Sequence, residues 1–310
     1  MLDLHRLRML HEFAARGSIA KAAASLGYTP SAVSQQLVTL EREAGTALLD
    51  RAARRASLTD AGRRLAGYAE RILAMVEEAE ADLSARAAEP SGRIVITAFA
   101  SAAVVFAPAL TRSLRAHPKL ALVLRQTPAR EGLRQVRSGE VDVAIVDDWT
   151  GRLASDLDES SLTSFHLIRD PLVLVLPRTH WAADKPVDLR ALRDEPWLAA
   201  PAGEGSRIAV DRLLGAAGVA PAVLSEFEGL STLVSLVARG IGIAIVPRLA
   251  VVTGERRLVL RDLPHGLNLA RDIQVVVRTA SVRRPAVAQI VHALTAAAKA
   301  MPALSFTAWA

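Results

Sequence analysis

With 310 residues, 51% hydrophobic and 23% charged, the chain can build two or three domains with real cores and lacks the composition of a disordered protein. It has no cysteine, which excludes disulfides, thiolate catalysis and cysteine-held zinc. The net charge of +6 suits a polyanionic partner, but residues 1–60 hold only eight Lys/Arg against six Asp/Glu. Any nucleic-acid affinity must therefore come from where individual arginines sit.

The opening segment, MLDLHRLRMLHEF, has no long apolar run or small-residue cleavage site, so no secretory signal is visible and a cytoplasmic location is expected. No stretch of about 18 residues is apolar enough to span a bilayer. Residues 4–16 read as a helix with Leu4, Leu7, Met9, Leu10, Phe13 and Ala14 on one side and Gly17 as its stop. An alanine-dense helix follows from Ser18 to Leu26, closed by Gly27. Thr29-Pro30 then starts a third helix, because Thr caps free amides and Pro has no amide to lose at the first helical position. It runs to about Glu43, with Gly45 beyond. Val33, Leu37, Leu40 and Ala44 make its buried stripe, and Ser31, Ser34, Gln35, Val38 and Arg42 lie on the opposite side. Short hydroxyls and an amide there suit base edges in a major groove about 12 Å wide. Two readings stand at this point: a helix-turn-helix, or an ordinary helical hairpin with a solvated face.

Next, TALLDRAARRASLTDAG reads as a two-stranded wing carrying Arg51, Arg54 and Arg55, placed to meet phosphates or a minor groove. Thr59 to Gly62 starts a long helix reaching about Arg86. Leu65, Ala69, Ile72, Val76, Ala79 and Leu83 follow a heptad seam, expected to pair two chains rather than pack on their own. Glu89-Pro90-Ser91-Gly92 reads as a linker.

Beyond Gly92 the texture changes to short apolar runs separated by helices. RIVITAF, LALVLRQT and VDVAIVDD read as strands, with helices at 109–116 and GLRQVRSG; PLVLVLP, WLAAP, VLSEFE, IGIAIVP and DIQVVVR read as a second set. Helices at 209–217 and LSTLVSLVARG lie among them, and 284–299 closes the chain. This grammar gives βαβ units with a parallel sheet in two similar blocks, with a ligand cleft at the carboxyl ends of strands.

Together these residues resemble the LysR-type transcriptional regulators over almost the whole chain. The N-terminal pattern is carried by Phe13, Gly17-Ser18, Ala22-Ala23-Ala24, Leu26, Ser31, Val33-Ser34-Gln35, Leu40-Glu41, Gly45, Leu48-Leu49, Arg51, Leu58-Thr59 and Ala61-Gly62. The C-terminal pattern is carried by Gly139-Glu140-Val141-Asp142-Val143-Ala144 and by Val237-Ala238-Arg239-Gly240-Ile241-Gly242-Ile243, ending at Pro247. Leu49 stands where the family often has phenylalanine, and Gln35 where arginine is frequent. An amide reads adenine best and a guanidinium guanine, so the second departure bears on which base is read.

The resemblance implies an α/β multidomain protein: a winged helix-turn-helix at 1–59, a linker or dimerisation helix at 60–88, and an effector domain at 92–310. That domain has two lobes like those of periplasmic binding proteins, one at about 92–167 with 271–300 and the other at about 168–270. It also implies a homodimer or homotetramer, double-stranded DNA as partner, and a small-molecule effector. Carried over by position, Ser31, Ser34 and Gln35 approach bases, with Val38 a further DNA-binding candidate on the same face, while Thr29, Pro30, Arg51, Arg54 and Arg55 fix the backbone register. The cleft is expected from the loop Phe99 to Ala102, with Ser101 foremost beside Ala102. Thr127, Ala129 and Arg130 come from the loop Thr127 to Glu131, and Asp147 with Asp148 follow the next strand. Pro201, Gly203, Gly205 and Ser206 line the other lobe. Hydroxyls and free amides there suit a small organic acid.

An enzyme is disfavoured. Gly203-Glu204-Gly205-Ser206-Arg207 lacks a nucleophile elbow's arrangement, and Gly240-Ile241-Gly242 precedes a strand rather than opening a helix. The seven histidines are scattered, so no metal or cofactor is expected. A solute-binding module would leave residues 1–88 unused. The expectation is a ligand-responsive, DNA-binding regulator without membrane attachment. The alternative is a cytoplasmic small-molecule-binding protein whose helix-turn-helix no longer reads DNA.

Overall fold

The computed structural model describes residues 1–50, 56–85, 89–151, 153, 161–251, 256–264, 266 and 269–301. Three helices open the chain: α1 (Leu4–Arg16), α2 (Ile19–Leu26) and α3 (Pro30–Ala44). Asp3 caps α1 by accepting from the Arg6 amide at 3.0 Å, and Thr29 caps α3 by accepting from the Ala32 amide at 3.2 Å. Gly27 ends α2 at φ 73°, a left-handed conformation that a residue with a Cβ adopts only with strain. Leu10, Phe13, Ala22, Val33, Leu37 and Leu40 close the core between them.

Strands β1 (Leu49–Asp50) and β2 (Ser57–Leu58) form the antiparallel base of the wing. Glu41 accepts from the amides of Leu48 and Leu49, both at 2.9 Å, which pins this base to α3. Helix α4 (Asp60–Ala85) starts with Thr59 accepting from the Gly62 amide at 3.0 Å. A Cβ on Gly62 would lie 2.1 Å from the Leu48 carbonyl oxygen, so only glycine permits this close approach.

The heptad seam expected on α4 is divided. Ala69 is buried in the winged-helix core with Ala66, and Leu65 packs on it. The outward stripe is Tyr68, Ile72, Met75, Ala79 and Leu83. The first turns of α4 serve the core of their own chain, which rotates the open face away from Leu65, Ala69 and Val76.

The remaining chain forms β3 (Gly92–Ala98), α5 (Ala100–Ala116), β4 (Leu120–Gln126), α6 (Ala129–Arg137), β5 (Val143–Asp148), β6 (Leu162–Pro177) and β7 (Pro196–Ala199). It continues with α7 (Gly205–Ala216), β8 (Val223–Glu226), α8 (Leu230–Val237), β9 (Ala244–Pro247), β10 (Leu258–Asp262), β11 (Ala270–Arg278) and α9 (Pro285–Ala300). Strands β3, β4 and β5 are parallel, as are β7 and β8. The sheet is nevertheless mixed, because β6 and β11 run antiparallel to each other and β11 runs antiparallel to β5.

Strand β6 serves both lobes. Its first part pairs with β11 as far as Pro171, and its second part pairs with β9 and β10 from Leu172 onward. PLVLVLP is thus only the end of a 16-residue strand. The apolar alternation of LTSFHLIRD was too broken by charge to read as strand. Strand β10 was not anticipated either.

Helix α5 starts at Ala100, well before Ala109. Pro108, which argues against helix on its N-terminal side, is accommodated inside it. Ser101 and Ala102 therefore lie in a helical first turn rather than a loop. In the same way Ala129 and Arg130 begin α6, Gly205 and Ser206 begin α7, and Asp147 and Asp148 end β5 instead of following it.

Candidate functional site

Two surfaces carry chemistry. The first is the outward face of α3. Ser31 and Gln35 are exposed one turn apart, with Ser34 and Val38 partly exposed beside them. The opposite residues Val33, Leu37 and Leu40 are buried, so the helix cannot rotate without opening the core. Arg6 fixes it further: its guanidinium donates to both Glu43 carboxylate oxygens, at 2.6 and 3.1 Å, and to Gln36 at 3.2 Å.

Pro30 sits exposed at the first helical position, and the Thr29 hydroxyl is already engaged as the cap, 3.1 Å from the Ser31 hydroxyl. The Arg42 guanidinium donates to the Thr39 hydroxyl. Tyr28, exposed beside Thr29 and edge-on to the His5 ring at 5.5 Å, is a polar-tipped aromatic on this rim that the sequence reading passed over. Arg51, Arg54 and Arg55 lie outside the described residues.

The second surface is the junction of the lobes. Arg271, only 1% exposed, extends from the start of β11 into this junction. Its Nε donates to Asp170 at 2.9 Å, one terminal nitrogen to Asp147 at 3.1 Å and the other to the Ser101 hydroxyl at 2.8 Å. The rings of Phe99 and Trp149 lie 4.6 and 5.5 Å from the guanidinium carbon, an arrangement that favours a cation. Trp149 also donates from Nε1 to Asp147 at 2.9 Å.

The same indole reaches the other lobe. A Cβ on Gly205, the first residue of α7, would come within 2.8 Å of the Trp149 ring. Burial pushes the Asp170 carboxyl upward, against the pull of Arg271 and the Leu249 amide. Burial also opposes charge on Asp148, but the amides of Leu153, Thr150 and Gly151 and the Thr150 hydroxyl prevail and hold its carboxyl below the usual range.

The structure therefore gathers Ser101 and Asp147 around Arg271, with Gly205 reached through the Trp149 ring. Ala102 instead faces the core of the first lobe, and Ala129, the first residue of α6, packs on the cluster that holds Val136 and Val146. Thr127 and Ser206 are buried, Arg130 is exposed on the first turn of α6, and Asp148 is committed to its own loop. Pro201 and Gly203 lie in the turn before α7, where Gly203 is exposed.

Arg271, Asp170 and Trp149 were missed, whereas Phe99 stood at the edge of the expected cleft loop. One signal was present: Arg169-Asp170 and Arg271-Asp272 place the same dipeptide on each strand that crosses between lobes. Among the described residues, no group of three or more His, Asp or Glu is arranged to hold a metal, and no helix is long and apolar enough to cross a membrane.

A helix-turn-helix with an open third helix, a helical arm and a two-lobed α/β domain with a polar junction define a DNA-binding regulator built on a substrate-binding fold. Residues 4–63 match the model of the bacterial regulatory helix-turn-helix protein, lysR family, and residues 87–299 match the LysR substrate binding domain. The chain belongs to the LysR family and is a LysR-type transcriptional regulator.

Among its relatives, a probable RuBisCO transcriptional regulator of Cyanophora paradoxa is 32% identical over 79% of this chain and 76% of its own. The transcriptional regulator CbbR of Rhodospirillum rubrum is 29% identical over 96% of this chain and 97% of its own. The fold is shared with a full-length OxyR variant from Pseudomonas aeruginosa, at a TM-score of 0.70 and 19% identity, covering 95% of this chain and 98% of that one.

Proposed function

We propose that this regulator reads double-stranded DNA through Ser31, Ser34, Gln35 and Val38, with Thr29, Pro30 and the wing arginines holding the backbone. The supporting observation is that Ser31 and Gln35 stand exposed on a helix whose other face is locked by Val33, Leu37 and Leu40. The open stripe Tyr68, Ile72, Met75, Ala79 and Leu83 on α4 pairs two chains and sets two reading heads on two half-sites, as dimer or tetramer. The units divide at 1–59, 60–88 and 92–310. The protein acts in the cytoplasm and needs no catalytic step.

A small-molecule effector binds at the interlobe junction. The Ser101 hydroxyl accepts from Arg271 and keeps its own proton to donate, and with the positive charge behind it this supports a small organic acid as the effector class. Binding there changes lobe geometry and thereby the spacing or bend imposed on DNA, a coupling of about 1–3 kcal/mol.

Fluorescence anisotropy of the full chain on duplex from just upstream of its own gene, at two salt concentrations and against a scrambled duplex, tests the reading. Preference for the upstream duplex, with affinity falling steeply as salt rises, is the expected result. Equal binding to both duplexes at both salts, on this DNA and on a random-sequence selection library, would overturn it.

A further inference from the structure

The two ends of β11 hold two different junctions. At its start is Arg271, bonded to Asp170, Asp147 and Ser101 and in contact with Trp149, which itself touches the second lobe at Gly205. At its end is Arg278. From Nε and a terminal nitrogen it donates to both carboxylate oxygens of Glu77 on α4, each at 2.7 Å. Its other terminal nitrogen donates to the carbonyls of Val136 and Val141, at 2.8 and 2.9 Å.

Those carbonyls bracket the turn that carries Glu140. Glu140 in turn receives the Arg16 guanidinium of α1 at 2.6 Å, and Arg16 is held by Glu12 at the same distance. Arg278 thus grips the linker helix directly and positions the acid that grips the winged helix. Both ion pairs tie the DNA-binding unit to the first lobe of its own chain.

The strand between the two arginines is stiff. It is hydrogen-bonded on both sides, by β5 and by β6, and Ile273, Val275, Val276 and Val277 are fully buried. Residues 271 and 278 differ by an odd number, so their side chains leave opposite faces of the sheet: one toward the cleft, the other toward α6 and α4. The pairing of β11 with β6 has a register irregularity at Ile273/Gln274, between the two arginines. The extra residue, Leu167, lies on β6, so β11 keeps its regular alternation between the two arginines.

We propose that β11 is the transmission element of this regulator: Arg271 registers the position of the second lobe, and Arg278 converts that into a tightened or released grip on α4 and α1. This rests on the reading that effector binds between the lobes, but it is tested without any ligand. The warrant for such a coupling is non-additivity between the two ends.

The chain has no cysteine, so Ala20→Cys on α2 and Arg112→Cys on α5, both exposed, give a clean pair of spin-label sites in the full-length protein. Mixing with excess unlabelled chain leaves one labelled protomer per assembly. Arg278→Gln is expected to lengthen and broaden the label-to-label distance by releasing the grip directly. Arg271→Gln, made with Asp170→Asn so that no buried charge is stranded, should produce the same shift from the far end, changing the released population by at least about fivefold.

Combining both ends should add nothing to Arg278→Gln alone. Arg271→Lys, which keeps the charge but loses the fork, serves if the neutral pair does not fold. An unchanged distance in the Arg271 variants beside a lengthened one in Arg278→Gln would overturn transmission through β11. An unchanged distance in Arg278→Gln would overturn the grip itself. Neither outcome touches the effector reading, which a panel of carboxylates monitored by Trp149 fluorescence tests separately.

Discussion

Arg271 and Asp170 stand directly opposite each other on the two strands that join the lobes, with the Arg271 Nε donating to the Asp170 carboxylate at 2.9 Å and both side chains closed off from solvent. A buried pair of this kind is costly to break from one side, because the remaining ion has lost both water and partner. Arg271→Met should therefore destabilise the full chain by about 3–5 kcal/mol, read as a fall in the urea midpoint. Adding Asp170→Leu should restore part of that loss, since no charge is then stranded.

Gln35 is exposed on the outward face of α3 and does not pack into the core. Gln35→Ala should cost roughly 1–3 kcal/mol on the preferred duplex and relax one base position, with little change on random DNA. Equal losses on both duplexes in an anisotropy titration would show that Gln35 does not read.

Met75 and Leu83 are each 71% exposed on α4, more than a solvated helix needs. Met75→Asp should shift the assembly toward monomer in sedimentation velocity while leaving the circular dichroism unchanged. An unaltered sedimentation coefficient would place the subunit contact elsewhere.

Burial holds the His11 imidazole below its usual range; Glu70 and Glu12 pull it up, and Arg8 and Arg278 push it further down. The folded chain thus refuses a proton that the unfolded chain accepts near the ordinary value of about 6.5. Stability supplied by neutral His11 is complete above that value and is lost as pH falls toward the lower folded one. His11→Phe should flatten the part of the melting-temperature profile that falls between pH 7 and 5.

Gly205 leaves no room for a side chain against Trp149. Gly205→Ala should displace the indole, changing Trp149 emission and costing about 1–3 kcal/mol by overpacking. Unchanged emission would mean that Trp149 and α7 do not bear on each other.

The sequence by itself determined the units that local chemistry dictates. The turn at Gly27, the Thr29-Pro30 start, the stripe Val33, Leu37 and Leu40, and the wing base at Leu49 and Leu58 are written in residue types and short spacings. The parallel strands β3, β4 and β5 were equally legible as short apolar runs, although only β3 and β5 are largely buried and β4 is the exposed edge of the sheet. Tertiary structure decided everything that depends on pairs far apart in the chain. A charged residue inside a strand reads as an exposed one until its partner is known, and Asp170, 101 positions away, makes Arg271 a buried residue instead. The expected seam of α4 is divided for the same reason: periodicity shows that two apolar faces exist, but only packing shows that the winged-helix core consumes Leu65 and Ala69.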